Sequence, residues 1–480
     1  MKKRIERNKK KIAEYIAKNK EGIVKISSFT LGALILFFIN YSLEINLSLS
    51  LILISLFAYL KCRKAFLINY KFIYFLFLFV INFSLAYFFI NQRIAVFYIP
   101  FSLVAMLSAI LFNEIEITLI LSLASSIMIA ALAGNNLYVG ILFLITSIIS
   151  SLLVFGARKR MVVIRAGFII SIVQVLSLIL INHFSVDSFN DYIILGLNGI
   201  ACGVIVIGIL PLFEYIFKTV TNISLLELAD FNHPLLQRMT LEAPGTYHHS
   251  LIVGNLSDAA ARAVGANALL ARIGAYYHDI GKLEKAEYFS ENQDVAASKH
   301  DVLSPAMSKL VIMNHVKEGA ELALKYRLNP RIIDFIQQHH GNSLVYFFYR
   351  RALESSAQDQ DVEEEGFRYP GPKPNSKETA IVLLADSVEA ATRALREATA
   401  AKVEEVVHKI INNRFIDGQL DECELTLKDI EKISSVFIRM LTAIYHSRME
   451  YPQVKNGESN HKKSANQACR QPDKDKKNGS

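Results

Sequence analysis

The sequence predicts an all-α chain in two parts: a polytopic bundle of transmembrane helices, then an all-helical cytoplasmic half. Three observations carry this. Hydrophobic residues make up 52% of the 480, and the mean hydropathy of +0.30 is high for a soluble enzyme. The apolar residues gather between about 23 and 217, in long runs separated by short polar breaks. Beyond 217 the apolar positions recur at helical spacing, and no run keeps the period-two alternation of a strand for long.

Residues 1–22 read as a basic cytoplasmic segment. The tail 453–480 reads as disordered, being polar, charged and without periodicity. Most of the positive charge sits at these ends: residues 1–20 hold nine Lys/Arg against two Glu, and 453–480 hold seven against three acids. The formal net charge of +8 therefore describes two tails suited to an anionic membrane surface. It excludes a broad groove for a DNA or RNA polymer. The four cysteines, Cys62, Cys202, Cys423 and Cys469, form no CxxC pair, so neither a disulfide framework nor a structural zinc site is expected.

Between 23 and 217 eight spans are expected, near 23–40, 44–60, 72–90, 94–112, 117–133, 137–156, 166–182 and 193–217. Most reach the length of about 17–25 residues that crosses the hydrocarbon core. Their orientation follows from the breaks. "MKKRIERNKKK", "KCRKAFLINYK" and "ARKRMVVIR" are basic and fall on one side, while "NQR", "GNN" and "NHFSVDSFNDY" hold one Arg between them. Both termini are then expected to be cytoplasmic. Residues 218–240 read as a juxtamembrane helix, with Ser224 and Glu227 as its capping box.

The remaining segment, 241–452, concentrates histidine: seven of the twelve lie between 248 and 340. A lone helical histidine is usually structural. A cluster joined by acidic residues suits divalent transition metals, because imidazole and carboxylate are their common ligands. The helical segments "SLIVGNLSDAAARAV", "NALLARIGAYYHDIG", "SPAMSKLVIMNHVKEGAELALKY" and "PRIIDFIQQHHG" would project these side chains into one interior.

"HHS" at 248–250, "HDIGK" at 278–282, "NHVKEG" at 314–319, "QQHHG" at 337–341 and "ADSVEAA" at 385–391 stand in the order found in HD-domain metal-dependent phosphohydrolases. With "PLLQRMTLEAPGTYHHSLIVGNL", "RYPGPKP" and "LLADSVEAATRAL", the chain resembles the bacterial seven-transmembrane receptor family with an intracellular HD hydrolase domain, which degrades cyclic di-AMP. The resemblance implies His249, His278, Asp279, His315, His339, His340 and Asp386 as ligands of two divalent transition metal ions, with Asp279 as the bridge. Nitrogen and oxygen donors without thiolate favour Fe or Mn and leave zinc open. Asp279 and Lys282 are the expected catalytic residues; Lys282, Arg393 and, less centrally, His248 are the expected substrate contacts. "SKHD" at 298–301 is set aside as a loop before the helix start Ser304-Pro305.

The implied function is a membrane-anchored phosphodiesterase that opens cyclic di-AMP to linear pApA by attack of a hydroxide bridging two metals, controlling the level of a second messenger. The Gly-Tyr-Pro motif that accompanies cyclic di-GMP hydrolysis is missing after the double histidine, where "HHGNSLVYFFYR" follows. Three rivals remain: an HD hydrolase of cyclic di-GMP, one acting on a guanosine alarmone, and a membrane receptor that binds a cyclic dinucleotide without turnover. The expected partners are a cyclic dinucleotide and the lipid bilayer, and a homodimer is left open. The large extracellular domain common in the family is not expected, because only Tyr41 to Leu43 join the first two spans.

Overall fold

The structure is a computed structural model that describes residues 71–181, 189–293, 299–355, 362–395 and 397–445. The expected spans at 23–40 and 44–60, the basic N-terminal segment and the tail lie outside the described residues. Among the described residues the chain is all-α and contains no strand, only one isolated bridge between Leu344 and Arg368.

The membrane half comprises α1 (Lys71–Asn91), a 3-10 turn at Val96–Tyr98, α2 (Phe101–Phe112), α3 (Ile115–Leu132), α4 (Leu137–Val154), α5 (Arg160–Ile181) and α6 (Phe189–Phe217). Five of these, α1 and α3 to α6, are long and apolar enough to cross a membrane. The expected span at 94–112 is an apolar helical segment, Val96–Phe112, interrupted at Pro100. Pro100 has no N–H to continue a helix, so the segment divides into the 3-10 turn and the 12-residue α2. The amide of Asn198 on α6 donates to the carbonyls of Phe97 and Ile99, at 3.2 and 3.0 Å, satisfying groups that the interruption frees. Every residue of α2 is buried, so it fills the middle of the bundle.

Helices α5 and α6 approach closely through small residues. A Cβ added at Gly167 would stand 2.8 Å from the Gly199 carbonyl, so this seam admits only glycine.

After α6 come α7 (Asn222–Leu228) and α8 (Pro234–Glu242), two short helices where one was expected. Thr221 caps α7, its side chain accepting from Ser224 N at 3.4 Å; the Ser224–Glu227 capping box is therefore not formed. Ser224 instead donates to the buried Glu214 of α6 at 2.8 Å. Glu227 takes a two-pronged contact from Arg160 at the start of α5, at 2.7 and 3.0 Å. The basic break at 157–165 thus lies beside the linker.

The second half contains α9 (Pro244–Ala263), α10 (Ala268–Tyr277), a 3-10 stretch at Ile280–Tyr288, α11 (Pro305–Lys325), α12 (Pro330–Gln338), α13 (Tyr346–Ser355), α14 (Lys377–Arg393), α15 (Ala400–Ile416) and α16 (Leu427–Tyr445). Their starts follow local chemistry. Asn267, Ser304, Asn329, Ser376 and Thr399 each cap a helix by accepting a backbone N–H, and Pro opens α9, α11 and α12. "SKHD" forms a 3-10 turn at Lys299–Val302, ahead of Ser304, as expected for a loop.

Two apolar cores hold the helices together. One joins α9, α14, α15 and α16 through Val253, Leu256, Leu384, Val407 and Phe437. The other joins Leu225, Leu235 and Met239 of the linker helices to Ile273, Tyr277, Ile332 and Ile336. The linker is therefore packed into the same core as the residues that precede the His278–Asp279 pair.

Candidate metal centre and active site

Five helices bring the expected ligands together where the two cores meet. His249 lies in mid-α9, and His278 and Asp279 end α10. His315 lies on α11, His339 and His340 end α12, and Asp386 lies on α14. Of these seven, His340 alone keeps appreciable exposure, a fifth of its side chain. The turn after α10 and helix α11 can come close because of a glycine. A Cβ on Gly281 would stand 1.8 Å from the His315 carbonyl and 2.5 Å from Gly319 N, so α11 lies directly on the turn after Asp279.

Four of the five imidazoles are set by their Nδ1. His278 donates to the Ala275 carbonyl at 2.7 Å, His339 to the Ile336 carbonyl at 2.9 Å, and His315 to the Ile312 carbonyl. His249 turns its Nδ1 to Glu389 Oε2 at 2.6 Å. This leaves the four Nε2 atoms facing inward. The Nε2 atoms of His315 and His339 lie 3.2 Å apart. Those of His249 and His278 lie 3.1 and 3.9 Å from Asp386 Oδ1.

Asp279 stands between the two pairs. Its Oδ1 lies 3.4 Å from His315 Nε2 and 3.5 Å from His339 Nε2, while its Oδ2 lies 3.2 Å from His278 Nε2 and 3.7 Å from His249 Nε2. Among the described residues neither Asp279 oxygen nor His278 Nε2 makes a well-oriented hydrogen bond, although all three are buried. Lone pairs facing carboxylate oxygens in a buried site call for a cation. The donor atoms fall into overlapping groups, His315–His339–His340, His249–His278–Asp386 and His278–Asp279–His339, each within 4.8 Å, so the residues fit divalent metal ions.

Burial opposes charge on His249, yet hydrogen bonds to Asp386 and Glu389 raise it to about 9, so this imidazole would give up a proton to take a metal ion. Burial lowers His315 to about 3, which keeps it a neutral donor. Burial also opposes ionisation of Asp279, but His278 and Lys282 hold it well below the ordinary carboxylate range.

Lys282 reaches the same place, with its ammonium held 2.8 Å from Asp279 Oδ2 and 2.7 Å from Glu291 Oε1. Burial disfavours the Glu291 carboxylate, but Lys282 lowers it to about 2. Lys282 and Arg393 both line the cavity over the centre, which measures about 580 Å³. Arg393 leans on Glu389 at 3.9 Å. His248 does not join them: it lies on the exposed face of α9 and outside the cavity wall.

Several residues of the site were not foreseen. Glu389 sits three residues after Asp386, a spacing that places both on one helical face and that the quoted "ADSVEAA" already displayed. It also accepts from Tyr445 Oη at 3.1 Å. Glu291 and Tyr369 come from irregular segments with no periodic signal; Tyr369 stacks on His340 with ring centroids 4.3 Å apart. Arg414 enters the cavity wall from α15.

Comparison with known proteins agrees with this geometry. The family described as "7TM receptor with intracellular HD hydrolase" matches residues 28–221, and the HD domain matches residues 246–391. The cyclic-di-AMP phosphodiesterase PgpH of Bacillus subtilis is 42% identical over 367 residues, covering 74% of this chain and 51% of that protein. PgpH of Listeria monocytogenes is 43% identical over 304 residues, covering 62% of this chain and 42% of that protein. The chain thus spans about half the length of these relatives. The crystal structure of the L. monocytogenes PgpH HD domain in complex with cyclic-di-AMP is 46% identical, covers 45% of this chain and 100% of its own, and has a TM-score of 0.44. The two family matches follow one another along the chain in the order of the two structural halves, and the chain belongs to the family of seven-transmembrane receptors with an intracellular HD hydrolase.

Proposed function

We propose that this chain is a membrane-anchored phosphodiesterase that hydrolyses cyclic di-AMP to linear pApA. The observation that carries the reading is the position of Asp279, with one oxygen turned to His315 and His339 and the other to His249 and His278. A carboxylate so placed could offer one oxygen to each of two cations. Two divalent ions, Fe or Mn by the donor set, would supply a nucleophilic hydroxide near neutral pH and offset charge on the phosphoryl and departing oxygens.

The chain's own residues prepare the site. The backbone carbonyls of Ala275, Ile312 and Ile336 fix three imidazole tautomers, and Glu389 fixes the fourth. Lys282, clamped by Glu291, holds Asp279 ionised and turned inward, and its ammonium borders the space a phosphate would occupy. The named activity of the PgpH relatives supports cyclic di-AMP as substrate. The contact of Arg160 with Glu227 supports a cytoplasmic HD domain, because it sets that domain's linker beside a basic break. The division near 218–240 into membrane and catalytic parts belongs to the same proposal.

The test is purified full-length protein in detergent with Mn or Fe, given cyclic di-AMP, cyclic di-GMP and guanosine tetraphosphate in turn. Conversion of cyclic di-AMP to pApA ahead of the other two is expected. Binding without turnover would favour the receptor reading, and preference for either guanine nucleotide would replace the substrate.

A further inference from the structure

The cavity over the metal centre has two chemically different walls beyond the ligands. One is aromatic, formed by Tyr288, Phe289, Phe347 and Phe348; the other carries Arg393 and Arg414. Every other cationic side chain lining it has an acidic partner: Lys282 has Asp279 and Glu291, Arg351 has Asp301, and Arg393 has Glu389 at 3.9 Å. Arg414 differs. Among the described residues it forms no ion pair, and its one side-chain hydrogen bond runs from Nε to Ser387 Oγ at 3.2 Å. Asp417, three residues on and a natural partner, is taken by Arg368 at 2.9 Å. Burial lowers the pKa of Arg414 even though the charges of Asp386 and Asp417 act to raise it. A partly buried cation with free Nη groups at a cavity wall is costly unless an anion arrives.

We propose that Arg414 binds the second, non-reacting phosphate of a two-phosphate substrate while the first lies at the His/Asp centre. This rests on the phosphodiesterase reading above and adds a specificity-determining residue to it. A guanidinium fork suits a phosphate, gripping two of its oxygens at once. The geometry gives a reason for preferring a cyclic dinucleotide to a simple diester: one phosphate is held at the centre and the other by Arg414, with the aromatic wall left to the bases. Arg414 lies beyond residue 391, where the HD match ends, so the preference is written in the helices that follow that match.

The test compares full-length wild type, Arg414→Gln and Arg414→Lys, loaded with Mn, on cyclic di-AMP and on bis(4-nitrophenyl) phosphate, which has one phosphate. Metal content is measured alongside. For Arg414→Gln the KM for cyclic di-AMP should rise about 10- to 100-fold, the range for a charge-assisted hydrogen bond. The penalty on the single-phosphate diester should be at least about tenfold smaller. Arg414→Lys, which keeps the charge and loses the fork, should fall between, and it carries the test if the Gln variant loses its metal. Equal losses on both substrates, or an unchanged KM for cyclic di-AMP, would overturn the assignment. Hydrolysis of the simple diester but not the dinucleotide by wild type would also overturn it and leave the metal centre standing; hydrolysis of neither would remove the phosphodiesterase reading itself.

Discussion

The phenol of Tyr277 donates to the carbonyl of Leu228 at 2.8 Å, joining the residue before His278 to the last turn of α7. Tyr277 is fully buried as a residue, and the bond itself is partly buried. The linker from the membrane therefore grips the end of the helix that carries the His278–Asp279 pair. Tyr277→Phe should remove about 1 kcal/mol from the docking of α7, the net worth of one intramolecular hydrogen bond. Faster amide exchange across 222–242 with metal content preserved is the expected signature; exchange as slow as in wild type would show that the contact adds nothing.

Asp279 is the only carboxylate among the seven expected ligands placed between two groups of histidines. Asp279→Ala should abolish turnover and lower the bound metal, read by elemental analysis and product formation. Near-normal activity in this variant would refute the bridging role, as would folded wild type that binds no transition ion and gains nothing from added Mn or Fe.

Glu389 acts through His249. Glu389→Gln keeps the volume but removes the charge facing Nδ1, and should weaken metal retention about 10- to 100-fold, as for other partners of metal-bound histidine. Competition with a chelator measures this directly. If the variant holds its metal as tightly as wild type, Glu389 is a bystander.

Gly281→Ala tests the contact between the turn after Asp279 and α11. The new methyl would meet the His315 carbonyl and Gly319 N, both backbone atoms that cannot rotate away. Destabilisation at or above the upper end of the ~1–3 kcal/mol typical of overpacking is expected, with loss of metal because His315 is displaced. Thermal unfolding with and without Mn would check it.

The residues that gather at the candidate centre were legible because each sits in a short motif whose order along the chain is itself informative. What surrounds the ligands was legible only in part. Glu389 is helical and in register with Asp386, so a search for the partner of His249's second nitrogen would have found it. Glu291 and Tyr369 reach the site from a 3-10 turn and an irregular segment, where side-chain direction follows no period. In the membrane half, hydropathy identified the long spans but passed over Pro100, and the juxtamembrane reading passed over Asn232-His233-Pro234, which begins a second helix. Both misses come from weighing apolar content above the backbone chemistry of proline.

The hydrogen bond from Tyr445 to Glu389 extends the machinery well past the segment that matches the HD domain. The last described helix ends on this tyrosine, and Phe437 and Leu441 of the same helix are fully buried in the core shared with α9 and α14. A fragment cut at residue 391 would retain every expected ligand yet lose the brace behind the first of them. The extent of the candidate metal centre is accordingly set by its supports as well as by its motifs, and the described supports reach as far as Tyr445.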